Sequence, residues 1–290
     1  MIRIMTDTAA DIDAAVAREL GIEVLPFMIH LGDRTIRADV NLTPDKYYDM
    51  LRDSDAIPTT SQMSPADVEA IYRRLGQDGD PVIHITMSGS GSGIYNTSCL
   101  VAQQLKAEGF DITVIDSTMF AYVIGHPVVE AAKMARAGAA KEEIIAYVTE
   151  AYSRDTAYFV VDDLTFLKKG GRIKATTMAI SAILDIKPIL NINDGLVEAY
   201  KKVRGLKKAM SVLLGYAQER MEAPEENEVF LLHSDAPDKV EILANMLEEK
   251  LRPGKITVVK IGPIITSHAG LGLVGIYFKH KKPYGTYEKN

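Results

Sequence analysis

The stretch from residue 80 to residue 106 constrains the fold more than any other part of the chain. Residues 80–86 are apolar and rich in β-branched side chains, which is typical of a buried parallel strand. A Ser/Gly run over residues 87–93 separates them from residues 95–106, which have a helical pattern. A strand, a flexible loop and a helix in this order predict an α/β sheet with a ligand at the carboxyl ends of its strands. The free amides at the start of such a helix favour an anionic group.

The Ser/Gly loop does not match the common enzyme motifs. A P-loop ends in Gly-Lys-Ser/Thr, and this loop contains no lysine. The dinucleotide fingerprint requires a third glycine where this chain has Asn96. The hydrolase motif Gly-x-Ser-x-Gly fails at Ser90 and at Ser92, because each has a serine two residues before it. Two interpretations stay open, an oxyanion-binding loop and a flexible turn without a ligand.

The overall charge argues against a general nucleic-acid binder, since the net charge is -6 and the pI about 5.6. Cys99 is the only cysteine, which excludes an internal disulfide and indicates a reducing compartment. The N-terminus lacks the apolar segment of a signal peptide. The best apolar run, residues 178–190, is interrupted by charged residues and a proline. We therefore expect a cytoplasmic protein with no membrane anchor.

Strands and helices alternate up to about residue 155 and follow a different pattern beyond it. The alternation predicts an N-terminal α/β domain with a parallel sheet over residues 1–155. The remainder predicts a C-terminal α+β domain with a mixed sheet over residues 156–290. Within it, Asn193-Asp194-Gly195 between two β-rich runs predicts a hairpin. The expected fold class is α/β with two domains.

Four local expectations are specific enough to check against the structure. We expect a helix over residues 12–20 with Asp11 as its N-cap, and one strand over residues 22–31. The three successive hydroxyl residues 59–61 are expected to lie in a loop. A short helical piece is expected over residues 162–167.

The segment from Lys168 to Lys208 is strongly basic. It contains ten basic and three acidic residues, a local charge of 10 − 3 = +7 in a chain of net charge -6. One interpretation is a pair of solvated loops. The other is a basic patch that meets a phosphate or an acidic partner. The residues alone support both.

Seven short motifs occur in a fixed order along the chain. They are Thr6-Asp7-Thr8-Ala-Ala-Asp11, Pro58-Thr-Thr60-Ser61-Gln62-Met-Ser64, Ser92-Gly93-Ile94-Tyr95-Asn96, Val114-Ile115-Asp116-Ser117, Gly170-Gly171-Arg172-Ile173, Lys202-Val203-Arg204 and Ser267-His268-Ala-Gly270. Together they resemble the DegV family of bacterial fatty-acid-binding proteins. The resemblance covers essentially the whole chain.

The resemblance implies a two-domain α/β protein with a long-chain fatty acid between the domains. The acyl chain would lie in an apolar tunnel, and hydroxyl groups would hold its carboxyl. Carried over by position, the fatty-acid-binding residues are Thr60 and Ser92, with Ser61, Gly93 and His268 beside them. The family implies no cofactor other than this ligand, and no metal.

The resemblance also implies a partner, the catalytic subunit of a fatty acid kinase. Family members present the bound acid to that kinase, and the acyl-phosphate product feeds phospholipid synthesis. Arg204 is similar to the arginine that serves in the kinase step, and Arg172 faces either the phosphate or the partner. The chain itself would then not be an enzyme, since the kinase supplies the ATP site.

The chain departs from the family pattern at four positions. Ile94 stands where threonine is usual, Asn96 where glutamine is usual, and Met63 where proline is common. Leu271 replaces the proline of a His-x-Gly-Pro-Gly run. Ser92 is retained, so the departures affect which acyl chain and which kinase fit rather than carboxyl binding.

An alternative function is an enzyme that acts on a small phosphorylated or carboxylated substrate in the same cleft. The basic segment and His268 motivate it. Neither a nucleophile with its base nor a metal-ligand set is visible in the sequence, which favours the carrier. A purely regulatory protein is a third interpretation, and structural roles for His268 and Arg204 stay open.

Overall fold

The computed structural model describes residues 1–178 and 186–287. These residues form three β-sheets and eleven α-helices. The strands are β1 (Arg3–Asp7), β2 (Glu23–Leu25), β3 (Phe27–Leu31), β4 (Arg34–Ala38), β5 (Thr59–Ser61), β6 (Val82–Thr86), β7 (Ile112–Asp116), β8 (Ala157–Val160), β9 (Ile186–Asn193), β10 (Leu196–Arg204), β11 (Glu228–His233), β12 (Lys255–Lys260) and β13 (Val274–Phe278). The helices are α1 (Ala14–Leu20), α2 (Pro44–Arg52), α3 (Pro65–Gly76), α4 (Ile94–Lys106), α5 (Tyr122–Arg136), α6 (Lys141–Arg154), α7 (Thr165–Gly170), α8 (Ala175–Met178), α9 (Leu206–Arg220), α10 (Pro237–Lys250) and α11 (Pro263–Ala269).

The first sheet has the order β2-β1-β6-β7, and all its strands run parallel. Its central strand β6 is buried at every position, as its continuous apolar run predicts. The Ser/Gly loop follows β6 and leads into α4. The parallel sheet expected from the alternation of elements is confirmed.

A small antiparallel sheet, β4-β3-β5, corrects two of the local expectations. Residues 22–31 form two strands instead of one, because Pro26 separates β2 from β3 and the two join different sheets. Proline has no N–H to continue a ladder, so the chain changes direction there. Residues 59–61 are a strand, β5, since they pair with β3. No local pattern signals such a short strand.

Two helices begin later in the chain than expected. α1 starts at Ala14 because Asp13 is its N-cap and accepts hydrogen bonds from two following amides. Asp11 has a φ of 52° and ends a 3₁₀ turn, so it does not cap the helix. The helix expected over residues 162–167 starts at Thr165, whose amide donates to the carboxylate of Asp163. Much of the apolar run 178–190 lies outside the described residues.

The third sheet is mixed and has the order β10-β9-β8-β13-β11-β12. β9 and β10 form the expected hairpin, with Asp194 and Gly195 at its turn and both at positive φ. In β11, Phe230 and Leu232 face the first hydrophobic core, while Val229 and Leu231 face the second. The sheet therefore separates two layers.

The first hydrophobic core contains residues of both halves of the chain, from Ile4 to Tyr277. The second core lies on the other face of the mixed sheet and is covered by α9 and α10. The expected boundary near residue 155 falls between α6 and β8, and it stays a prediction. Over residues 1–178 and 186–287, no helix has the length and apolar character needed to cross a bilayer.

Tyrosines of α2 join the N-terminal half to the segment around α11. The Tyr48 hydroxyl donates to the carbonyl of Ile261 at 2.6 Å, and the Tyr47 hydroxyl lies 2.6 Å from that of Ser267. Lys260 adds an ion pair with Asp45 on the surface. Both tyrosines are fully buried, so these contacts hold α2 firmly against α11.

We predict that Tyr48→Phe lowers the free energy of unfolding by about 1 kcal/mol, because the buried Ile261 carbonyl loses the shorter of its two side-chain hydrogen bonds and keeps the one from Thr266. Denaturant unfolding measures this loss. Tyr147→Phe, at a half-buried position on α6, is the matched control and is expected to cost less than about 0.5 kcal/mol. Equal stability of Tyr48→Phe and the wild type would contradict the role given to this hydrogen bond.

Candidate ligand-binding site

Two carboxylates at strand ends fix the loop that follows β6. Asp7, at the end of β1, accepts a hydrogen bond from the Met87 amide at 2.8 Å and one from Ala9. Asp116, at the end of β7, accepts one from the Gly89 amide at 3.0 Å. Both carboxylates therefore hold the loop in place through hydrogen bonds to its backbone amides. They lie on either side of the loop because the parallel strands β1, β6 and β7 end at the same edge of the sheet.

Ser88 connects this loop to the second half of the chain. Its buried hydroxyl donates to the carbonyl of Gly195 at 2.8 Å. A Cβ at Gly195 would lie 2.3 Å from the Ser88 oxygen, so only glycine permits this contact. The hairpin turn is thereby held against the Ser/Gly loop.

A polar cavity of about 290 Å³ opens beside the loop. Six of the residues that the sequence indicated line it: Thr60, Ser61, Ser92, Gly93, Arg172 and His268. Phe27, Gln62, Met87, Gly91 and Ile264 complete the lining. Gln62 lies in the motif over residues 58–64, and Met87 and Gly91 lie in the loop over residues 87–93, although none of the three was named as a site residue. Phe27 of β3 and Ile264 of α11 lie outside every motif, so no spacing within one element could have indicated them.

The His268 imidazole contacts the Thr60 hydroxyl, with 2.8 Å between Nε2 and Oγ1. Burial, followed by the nearby charge of Arg172, lowers the pKa of His268 to about 4, so the ring is neutral at pH 7. Its Nδ1 is buried without a hydrogen-bond partner, and a Cβ at Gly170 would lie 2.5 Å from it. A proton there would be costly, so the tautomer with the proton on Nε2 is favoured.

That tautomer determines what Thr60 can do. If Nε2–H donates to the Thr60 oxygen, the hydroxyl proton of Thr60 remains available to another acceptor. Thr60 is half-buried and lines the cavity, so a carboxylate in the cavity is such an acceptor. Ser61, the next residue, directs its hydroxyl to His30 at 2.9 Å.

Ser92 and Gly93 lie at the start of α4. The Ser92 hydroxyl accepts a hydrogen bond from the Ile94 amide at 3.3 Å. A Cβ at Gly93 would lie 2.9 Å from the side-chain amide oxygen Oε1 of Gln62, which is buried and has no hydrogen-bond partner. The helix start adds a positive partial charge to this end of the cavity.

Arg172 brings a full positive charge to the cavity wall. Its Nε donates to the Gly91 carbonyl at 2.9 Å, and its Nη1 donates to the carbonyl of Gly170. Burial lowers the pKa of this half-buried guanidinium, which stays charged. The lining is thus a combination of hydroxyls and one cation rather than hydroxyls alone.

Arg204 lies apart from these residues. It is exposed and ends β10. Val197, on the same strand, lines the apolar cavity described below and lies seven residues before Arg204. At about 3.3 Å per residue, the backbone positions of Val197 and Arg204 are on the order of 20 Å apart. It does not line the polar cavity.

An apolar cavity adjoins the polar one and shares Met87, Arg172 and His268 with it. Its remaining lining is Phe120, Ala121, Ala157, Phe159, Leu167, Ile192, Val197, Leu232, Ile261, Ile265, Ala269 and Leu273. The cavity is narrow, with a volume of about 50 Å³. Both halves of the chain contribute to it, so it lies within the shared core.

A model of an uncharacterised protein of the DegV family matches residues 1–281. The chain belongs to the DegV family. A DegV domain-containing protein of Clostridium perfringens is 32% identical over 280 residues, which cover 95% of this chain and 96% of that protein. Protein DegV of Bacillus subtilis is 27% identical over 276 residues, which cover 95% of this chain and 98% of that protein.

Solved DegV structures share the fold along almost the whole chain. A DegV family protein from Thermus thermophilus, described for its fatty acid binding, has a TM-score of 0.86 at 30% identity. The match covers 96% of this chain and 99% of that one. A fatty acid binding DegV family protein from Streptococcus agalactiae has a TM-score of 0.87 at 29% identity, over 97% and 99% of the two chains. The expected fold class is confirmed.

The buried carboxyl of Asp7 predicts a pH dependence of stability. Burial raises the pKa of Asp7 from 3.8 to about 7, although the hydrogen bonds from Met87 and Ala9 oppose the rise. Between these values the folded state holds the proton more tightly than the unfolded state. Its contribution to stability therefore decreases as pH rises, by up to about 1.4 kcal/mol per pH unit.

We predict that the stability difference between the wild type and Asp7→Asn shrinks as pH rises from about 4 to about 7. Chemical denaturation at several pH values measures it. Asp78→Asn, on an exposed turn, is the control and is expected to differ from the wild type by a constant amount. A difference for Asp7→Asn that does not change with pH would mean that Asp7 is ionised in the folded protein.

Proposed function

We propose that this DegV protein is a carrier that holds one long-chain fatty acid. The carboxyl occupies the polar cavity beside Thr60 and Ser92, and the acyl chain enters the apolar cavity. The observation that carries this proposal is the direct contact between the two cavities, which share Met87, Arg172 and His268. An amphiphile with an anionic head and an apolar tail fits such a pair.

Relatives support the ligand class. The Thermus thermophilus and Streptococcus agalactiae proteins that share this fold are both described as binding fatty acid. DegV from Bacillus subtilis, at a TM-score of 0.82 and 26% identity, is described in the same way.

Burial of the tail supplies most of the affinity. Each buried methylene contributes about 0.8 kcal/mol, so a dozen contribute roughly 10 kcal/mol before the cost of ordering the chain. The apolar cavity is too narrow for a whole acyl chain as it stands. The lining side chains must therefore move apart when the chain enters, which reduces the net gain.

The head group needs a donor set that offsets its desolvation. The Thr60 hydroxyl, the hydroxyl of Ser92 and the amides at the start of α4 provide neutral donors. Arg172 adds a charge that favours the ionised acid. Neutral His268 orients Thr60 and does not compete for the proton of the acid at pH 7.

The second part of the proposal is the presentation of the acid to a kinase. A carrier has to release the carboxyl to the active site of the kinase. A head group that lies between hydroxyls and the half-buried Arg172 is easier to release than one in a fully buried ion pair. Arg204 is exposed in a basic segment, where it is accessible to a partner. There it would stabilise the charge of the transferring phosphoryl group.

The enzyme alternative has less support. In the favoured tautomer Nε2–H of His268 donates to Thr60 and cannot take the proton of that hydroxyl, and the hydrogen bond of the Ser92 hydroxyl comes from a backbone amide. Among residues 1–178 and 186–287, no group of three or more His, Cys, Asp or Glu side chains is arranged to hold a metal ion. The described geometry therefore favours holding an anion over attacking a substrate.

We predict that Ser92→Ala and Thr60→Val each weaken fatty acid binding about tenfold, because one donor to the carboxylate is lost. Titration calorimetry with delipidated protein measures the dissociation constants. Ser153→Ala, at an exposed position of α6, is the matched control and is expected to bind like the wild type. If wild-type protein neither co-purifies with a fatty acid nor binds an added one, the carrier proposal is wrong.

We predict that Arg204→Ala slows phosphorylation of the bound acid by the partner kinase at least tenfold and leaves its dissociation constant unchanged. His268→Ala is expected to slow the same step and also to weaken binding, since it orients Thr60. Arg18→Ala on α1 serves as the control for loss of a surface charge. Equal phosphorylation rates for Arg204→Ala and the wild type would rule out the role of Arg204.

A further inference from the structure

A second cavity, of about 460 Å³, is lined by residues of α5, α6 and the mixed sheet. Among the described residues, none lines both this cavity and the site described above. We call it the acidic cavity, because its charged lining consists of four carboxylates and two cations: Glu150, Asp155, Glu226, Glu228, Arg154 and Lys279. Their formal charge is 2 − 4 = −2. A cavity with this charge favours a cationic ligand.

Aromatic rings form one wall of the acidic cavity. Phe230 of β11 and Tyr277 of β13 are cross-strand partners, and their rings stack with 5.4 Å between the centroids. The ring of His126 lies 4.9 Å from that of Phe230. Burial lowers the pKa of His126, so its imidazole is neutral at pH 7 and does not repel a cation. Such a wall attracts ammonium groups and offers apolar surface to methylenes.

Two of the four carboxylates form no ion pair with a lysine or arginine of the described chain, residues 1–178 and 186–287. They are Asp155 and Glu226. Glu150 and Glu228 each pair with a basic side chain, at 3.2 Å and 2.9 Å. Negative charge therefore remains available to a ligand at two points of the lining.

Asp155 carries the strongest indication of a ligand. It is only 7% exposed and lines the acidic cavity. Its Oδ1 accepts a hydrogen bond from the His280 amide at 2.9 Å. No residue that the structure describes donates a hydrogen bond to its other oxygen, Oδ2. Because a nearly buried carboxylate oxygen without a donor is costly, a donor from a bound cation would stabilise it.

Both cations of the lining interact with an acid outside it. The Lys279 ammonium lies 2.6 Å from Oε2 of Glu222, and the Arg154 guanidinium lies 3.5 Å from the same oxygen. Glu222 does not line the acidic cavity. Its charge offsets part of theirs, so the carboxylates of the lining stay in excess.

The spacing of the carboxylates indicates an elongated ligand. Asp155 lies two residues before β8, and Glu228 begins β11, with Tyr277 on the strand between them. Two strand spacings separate the outer strands, about 10 Å. Over residues 1–178 and 186–287, no three His, Cys, Asp or Glu side chains are placed to hold a metal ion. Carboxylates on either side of an aromatic wall match two ammonium groups joined by methylenes better than a compact metal ion.

We propose that the acidic cavity binds an aliphatic diamine or polyamine. One ammonium group donates to Asp155, and a second one reaches the carboxylates at the start of β11, Glu226 and Glu228. The methylenes between them lie on Phe230 and Tyr277. This site is separate from the fatty acid site, and its occupation does not depend on the proposed carrier function.

Titration calorimetry of the delipidated full chain with 1,4-diaminobutane and with spermidine tests the proposal. We expect one saturable site with a dissociation constant below about 1 mM. Asp155→Asn keeps an oxygen that accepts from His280, and Glu226→Gln changes an exposed residue. Each is expected to weaken binding at least fivefold, because a charged acceptor is lost. Glu142→Gln, at an exposed position of α6 outside the acidic cavity, is the matched control and is expected to bind like the wild type.

Two further ligands define the chemical class. 1-Aminobutane has a single ammonium group and is expected to bind at least tenfold more weakly than 1,4-diaminobutane. Magnesium chloride at the same concentration is expected not to displace the diamine. Displacement by magnesium that disappears in Asp155→Asn would overturn the assignment to an amine.

Three other results would overturn the proposal. One is the absence of saturable diamine binding up to about 1 mM. The second is wild-type affinity in both cavity variants, and the third is equal weakening in Glu142→Gln, since amines would then respond only to the net negative charge of the protein. Circular dichroism identifies a variant that does not fold. If Asp155→Asn fails in this way, Glu226→Gln decides the outcome.

Discussion

The hydrogen bond between Thr60 and His268 is the contact on which the site depends. It joins a three-residue strand to a short helix that lies 208 positions away in the sequence. Neither element is stable by itself, so the shared core must bring them together first. Once joined, the imidazole accepts no proton at neutral pH and leaves the threonine hydroxyl free to donate. A local contact between two weak elements thus defines the polarity of the cavity.

The shared core explains why the site lies where it does. Residues of both halves contribute to one hydrophobic cluster, and the mixed sheet presents the same face to it along β8, β9 and β11. An apolar cavity within that cluster needs no polar partners, so it can exist without cost in hydrogen bonds. Only at its end, where the loop after β6 meets α11, do donors appear. The amphiphilic character of the site follows from this geometry.

Much of the fold could be predicted because the long elements carry strong periodic patterns. The parallel sheet and the β9–β10 hairpin are examples. The errors occur where tertiary pairing overrides local sequence: Pro26 divides one apolar run between two sheets, and β5 is a strand only because β3 is beside it. Six site residues were indicated through their motifs, but Phe27 and Ile264 could not be, since only folding brings β3 and the start of α11 to the cavity. The roles of the site residues stay predictions.

Gly170 illustrates how a residue without a side chain can govern a site. Its position leaves no room for a methyl group, because Nδ1 of His268 occupies that space. The restriction comes from the imidazole and not from the backbone of Gly170, which has no positive φ. An alanine at position 170 would push the ring away from Thr60 and uncouple β5 from α11. A residue outside the cavity lining would then change the cavity through His268, while the hydroxyls of Thr60 and Ser92 keep their places in the sequence.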